Sequence, residues 1–243
     1  MRPNDPLMDA WWKTERAKHH LNELREQIDA FMADDPVTVT KIEDPEQRVS
    51  RYQAVFKQPH VWFFLIAGDI FQCLRTALDQ SVWWLASAQH KDPDWTQFPI
   101  FATNTPRNRE RFERQTRGVS KKSADVIELF QPYKREQGTP LNAHMLWQLN
   151  EINRIGKHRR ISVRATAARI DGFVSSPLIP IENGCELAVK WDSPDMVYEP
   201  VFHPIIVFGD KDAGFTVRIE QMERIHQFVG QVVLPHLAGS ALP

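Results

Sequence analysis

Two groups of residues in this chain have the types and spacing to do chemistry. The first lies in the proline-free run VWFFLIAGDIFQCLRTALDQSVWWLASA, residues 61–88. At about 100° per residue, Asp69, Gln72, Arg75, Thr76, Asp79 and Gln80 fall within one arc of roughly 140° on a helix. An arginine there could neutralise a phosphate through its planar fork, with Asp79 orienting it. The second group is in LNAHMLWQLNEINRIGKHRR, residues 141–160, where Asn150, Asn153, Arg154, Lys157 and His158 oppose Met145, Leu149, Ile152 and Ile155. Arg159 follows directly. His158 is the one member whose ordinary pKa lies near neutrality, which makes it the natural proton-transfer group. The chemistry these residues suit is anion binding with acid–base assistance.

Such residues need helices to position them. Trp62, Leu65 and Trp83 bound the first stripe with bulky apolar groups, so the stripe is expected to be covered, and a covered Asp–Arg–Asp set requires partners. Pairing the two stripes would build a cleft with Asp69, Arg75 and Asp79 on one wall and Arg154, Lys157 and His158 on the other. Plainer roles fit the same residues. Basic side chains near a helix C-terminus complement its dipole. Arg75 and Asp79 have the spacing of a helical ion pair, and polar networks also hold helices in register.

The rest of the chain supplies a scaffold. A first helix is expected from Asp5–Pro6 to about Met32, then a β-hairpin from VTVTKI and RVSRYQAVF around a turn at Glu43–Asp44–Pro45. After the central helix come two short helices, near 106–117 and 121–130, and the helix from Leu141 to about Arg160. The hydrophobic period then shifts from 3.6 to about 2 in ISVRATAARI, CELAVKW and MVYEPVFHPIIVF, a strand signal. An amphipathic helix at about 218–238 packs back. The expected class is α+β: a helix-dominated bundle with a small antiparallel sheet made from the early hairpin and the C-terminal strands. One domain over 1–243 is expected, with the helical core at about 5–160, the hairpin at 37–57 and the strands at 161–210.

Composition excludes several classes. Hydrophobic residues make up 42% of the 243, with eight Trp and fourteen Phe, ample for a core. A net charge of −1 gives no global attraction to nucleic acid or membrane. Cys73 and Cys185 form no disulfide framework or metal-ligand pair. The start MRPNDPLMDAWWK lacks a secretion signal, and the apolar stretch 61–67 is too short for a bilayer, so the cytoplasm is the expected compartment. Nucleotide-binding glycine loops, HExxH and Gly-x-Ser-x-Gly are missing from the sequence, and its histidines lack metal-ligand spacing. No cofactor, metal or membrane is therefore expected. Residues 107–122 carry seven Lys or Arg against two Glu, a face that could hold phosphates or simply be solvated.

Four motifs, GDIFQCLRTALDQ (68–80), FPI (98–100), QPY (131–133) and GKHR (156–159), stand in an order that resembles a family of uncharacterised bacterial proteins. That resemblance spans about residues 60–160 and implies no assigned activity. The chain also resembles HEPN-type helical proteins, which implies a metal-independent ribonuclease whose signature is an Arg, a polar residue and a His after four to six intervening positions. Gln80 occupies the His position on the central helix, and a neutral amide cannot shuttle a proton. Arg154 and His158 are separated by three residues. Two functions follow as expectations. One is an RNA-directed helical module with His158 as acid/base, Arg75 and Arg154 on phosphate, and Asp69, Gln72, Gln80, Asn150, Asn153, Lys157 and Arg159 holding substrate. The other is a non-enzymatic interaction protein, a helical homodimer whose polar stripe is a structural network. A small-molecule pocket lined by the stripe is a third.

Overall fold

The computed structural model describes residues 7–87, 95–173, 178–181, 183–193, 196–210 and 215–241; the expected helix start at Asp5–Pro6 lies outside them. The elements in chain order are α1 (Met8–Ala33), β1 (Val37–Asp44), β2 (Val49–Phe56), α2 (Trp62–Ser87), α3 (Pro106–Gln115), α4 (Lys121–Leu129), α5 (Met145–His158), β3 (Ser162–Phe173), β4 (Ile179–Ile181), β5 (Gly184–Lys190), β6 (Met196–Asp210), β7 (Phe215–Val217), α6 (Ile219–Gln227) and α7 (Leu234–Ala241). This is the expected α+β class.

The two 26-residue helices form the centre. Phe31 stacks edge-on against Phe63, and Arg16 reaches Cys73, so α1 and α2 run antiparallel. Ile70, Phe71, Leu74, Leu78 and Val82 of α2 are fully buried and meet Leu21 and Leu24 of α1 and Leu146, Leu149 and Ile152 of α5 in one core. α3 opens on Thr105, whose hydroxyl accepts the Asn108 N–H, with Pro106 in the first turn; α4 opens on Ser120 in the same way. The helix expected at 141–160 is shorter. Residues Leu141–Ala143 form a 3₁₀ turn and His144 is extended, so α5 begins only at Met145. α6 continues into α7 through a π-turn, Phe228–Val233, where Gly230 lies against Thr14 and His226 Nε2 donates to the Thr14 carbonyl.

The strands divide between two antiparallel sheets, where a single one was expected. One has the order β1–β2–β5–β4 and the other β3–β6–β7. The hairpin does join a C-terminal strand: Tyr52 pairs with Leu187 and Ala54 with Cys185. Alternate residues of β2, Tyr52, Ala54 and Phe56, are buried and need a cover. Phe202, Ala165, Ala167 and Ile170 of the second sheet provide it. Ala165 also touches the helical core, as do Ile206 and Phe208, so the second sheet joins the first sheet to the helices. A Cβ at Gly184 would collide with the Ala54 carbonyl oxygen, which is why a glycine starts β5. β6 pairs with β3 along one edge, but with β7 only from Phe208 to Asp210. Over the rest of its length that second edge has no strand partner among the described residues.

No described helix is long and apolar enough to cross a membrane. The expectation that the α2 stripe is covered holds for only half of it. Trp62, Leu65 and Trp83 are 57%, 41% and 51% exposed, and Asp69 and Gln72 also face outward, whereas Arg75 is buried and Asp79 is half-buried beside Phe98. The reason is geometric: α1 and α5 cover the apolar faces of α2, and segment 98–101 reaches only the C-terminal part of the polar stripe.

Candidate functional site

The structure splits the two polar stripes into a cleft and a clamp. The cleft, about 270 Å³, lies between α2 and the C-terminal half of α5. Asp69 and Gln72 stand on its α2 wall, and Asn153 and Lys157 on its α5 wall. Arg159, Arg160 and Ile161 close the end where α5 passes into β3. Phe64, Phe71, Ile152 and Ile161 give it an apolar floor, and the Arg160 guanidinium lies 4.2 Å from the centre of the Phe64 ring. Three cations stand against one carboxylate and the roughly half-unit negative charge of a helix C-terminus, so the rim remains positive.

Asn153 is the most informative side chain in the cleft. It is only 8% exposed as a residue, but it lines the cleft, and its carboxamide is wetted from there in place of a side-chain partner among the described residues. Lys157 likewise makes no ion pair among the described residues. Gln72 donates 3.2 Å to Thr76 Oγ1 along its own helix.

The clamp consists of Arg75 and Asp79, which lie outside the cleft. Arg75 is buried; its Nε donates 3.2 Å to Asp79 Oδ2, and its Nη2 donates 2.8 Å to Oδ1 and 2.6 Å to the Phe98 carbonyl. Asp79 Oδ1 accepts the Phe98 N–H at 2.9 Å. The fully buried Gln131 grips the next residues: its Oε1 accepts the Phe101 N–H, and its Nε2 donates to the carbonyls of Pro99 and Ile127. Segment 98–101 has no sheet partner, so these side chains replace a ladder for its backbone. Three of the four motifs noted in the sequence, GDIFQCLRTALDQ, FPI and QPY, therefore meet in one structural unit. Arg75 Nη1 and Gln80 Oε1 are buried without a partner among the described residues.

The remaining residues scatter. Arg154 is exposed and donates 2.8 Å to Glu151 on its own helix. Asn150 is half-buried one turn before the cleft and does not line it. His158 ends α5 between two cleft residues, and its side chain lies outside the described residues. The set Arg75, Asp79, Arg154 and His158 is thus not gathered around one point: its first two members hold a loop and the third holds a neighbouring glutamate.

Sequence reasoning missed Gly68, Gly156 and Gln131. Both glycines line the cleft, with Ile161 Cδ1 at 4.0 and 3.5 Å from where a Cβ would stand. A methyl group would fit at either position but would narrow the space. The available signal was glycine within helices, where it costs about 1 kcal/mol relative to alanine. Gln131 stood in the QPY motif, but nothing in that motif named its partners, which are distant backbone groups.

No family model, curated protein or solved structure matches this chain.

The site is therefore read from its own geometry. Among the described residues, no three His, Cys, Asp or Glu side chains converge as metal ligands. The cleft has the parts to hold an anionic group on Lys157, Arg159 and Arg160, an apolar or aromatic body on Phe64 and Ile161, and a hydrogen-bonding edge on Asn153.

Proposed function

We propose that this protein binds a nucleoside phosphate in the α2–α5 cleft, either as a free nucleotide or as one unit of an RNA strand. The observation that carries this reading is the Asn153 carboxamide, open to the cleft beneath a cationic rim and with no side-chain partner among the described residues. At about 270 Å³ the cleft stands at the small end of ligand pockets, room for one ring system with its phosphate at the mouth. The amide meets the hydrogen-bonding edge of the base, Phe64 and Ile161 take its faces, and Lys157 and Arg159 take the phosphate. Arg75 does not serve as a phosphate ligand in this reading, since its Nε and Nη2 hold Asp79 and Phe98.

Calorimetric titration of the four nucleoside 5′-monophosphates and of a short single-stranded RNA tests the reading, on wild type and on Asn153→Leu. The substitution keeps the branched shape, replaces the cleft-facing amide by methyl groups, and is expected to preserve the melting temperature. It should weaken binding at least about tenfold, the loss of one well-formed polar contact. Equal affinity in both proteins, or no binding of any of these ligands by the wild type, overturns the proposal. RNA binding far tighter than any mononucleotide assigns the site to a strand. The same RNA incubated in EDTA with wild type and His158→Ala reads out acid–base cleavage: loss with the variant places that histidine in the reaction.

A further inference from the structure

A larger and more polar trough, about 690 Å³, lies away from the cleft, on the outer face of the β3–β6–β7 sheet beside the start of α6. Its floor is built by strand alternation. Thr166 pairs with Ile205 and Arg164 with Val207 across β3 and β6, and Ala165, Ile206 and Phe208 turn the other way into the core. Arg164 rises from β3, and Arg218 and Arg224 from the entry and second turn of α6. All three are exposed, and none makes an ion pair or side-chain hydrogen bond among the described residues. The one acid lining the trough is Glu220.

Three arginines around one concavity repel one another, whereas Arg25, Arg51 and Arg169 each hold a carboxylate, on Glu223, Glu186 and Asp171. Unpaired guanidinium groups present planar forks that match phosphate oxygens two at a time. No aromatic side chain lines the trough, so a ligand is held by its charge and not by stacking. We infer that this trough is a second anion site, for a ligand carrying two or more adjacent phosphates. It stands independently of the cleft reading, because the two sites share no residue.

The test is titration of the full chain with sodium tripolyphosphate and with an eight-nucleotide single-stranded RNA. Wild type is compared with Arg164→Gln/Arg218→Gln/Arg224→Gln, with Glu220→Gln, and with the control Arg107→Gln/Arg109→Gln/Arg117→Gln, which removes the same three charges at exposed positions away from the trough. The triple variant should weaken tripolyphosphate binding at least about thirtyfold, and Glu220→Gln should tighten it about threefold, a gain that misfolding cannot mimic. The control should match wild type. RNA affinity that falls with the triple variant identifies a phosphodiester strand as the source, and RNA affinity that does not change identifies a free polyphosphate. Tripolyphosphate affinity equal in the triple variant and the control, or unaltered by Glu220→Gln, overturns the inference.

Discussion

Replacing Arg75 by alanine should damage the fold and not the cleft. The substitution removes three charge-assisted hydrogen bonds, at 3.2, 2.8 and 2.6 Å, and leaves the Phe98 carbonyl without its donor. At about 1.5–3 kcal/mol each the three would sum to more than the net effect. Asp79 is one-third exposed and regains water, and the buried, unpartnered Arg75 Nη1 disappears with the side chain. Breaking such a pair from one side costs about 3–5 kcal/mol, and the low end, about 3 kcal/mol, fits these discounts. Helix propensity cannot be the cause, since alanine is the better helix former. For a chain of 243 residues this amounts to a fall of about 6–12 °C in Tm. Urea denaturation of wild type, Arg75→Ala, Asp79→Ala and the double variant measures it. The midpoint should drop at constant slope. The double variant should lose at least about 1 kcal/mol less than the sum of the singles, because each single already breaks the shared contact. A midpoint shift under about 0.5 kcal/mol for Arg75→Ala, or strict additivity, refutes the clamp.

Two further perturbations follow from the same structure. Gln131→Ala should cost about 2–4 kcal/mol by urea denaturation, because it orphans the Phe101 N–H and the carbonyls of Pro99 and Ile127 in a dry setting. Mononucleotide affinity should be unchanged. Hydrogen bonds from Gln53 and Arg51 hold the Glu186 carboxyl below the ordinary carboxylate range. A depressed folded-state pKa contributes stability above the unfolded value of about 4.3, and that stability is lost as pH falls through the folded value. Glu186→Gln should therefore flatten the acid limb of a stability-versus-pH curve while leaving neighbouring pH-dependence in place; an unchanged limb would show that other carboxylates carry it.

The α2 and α5 helices were legible from residue types alone, because apolar residues at helical spacing must bury one face whatever they meet. The start of α5 was not, and falls at Met145 in place of Leu141, whereas the starts of α3 and α4 were, because Thr105–Pro106 and Ser120 form caps from adjacent residues, a local matter. The same holds for the hairpin, whose alternation in β2 survives intact. The α+β class follows from where the hydrophobic period changes, near residue 161. Of the residues singled out by type and spacing, Asp69, Gln72, Asn153, Lys157 and Arg159 line one cleft.

What the helical wheel could not decide is which polar residues of one stripe work together. Asp69 and Asp79 share one polar arc but lie about 80° apart around α2 and ten residues apart along it, about 15 Å of rise, so they meet different neighbours. Asp79 meets the backbone of Phe98, a partner 19 positions on, and Asp69 faces Lys157 and Arg159 across a cleft. The division of seven strands between two sheets was equally hidden, since β3 and β6 could choose each other or the hairpin by pattern alone. Periodicity in this sequence determined which face of each element is polar. Only tertiary packing decided whether that face became a clamp, a cleft or open surface, because the deciding partners are backbone groups and side chains far away in the chain.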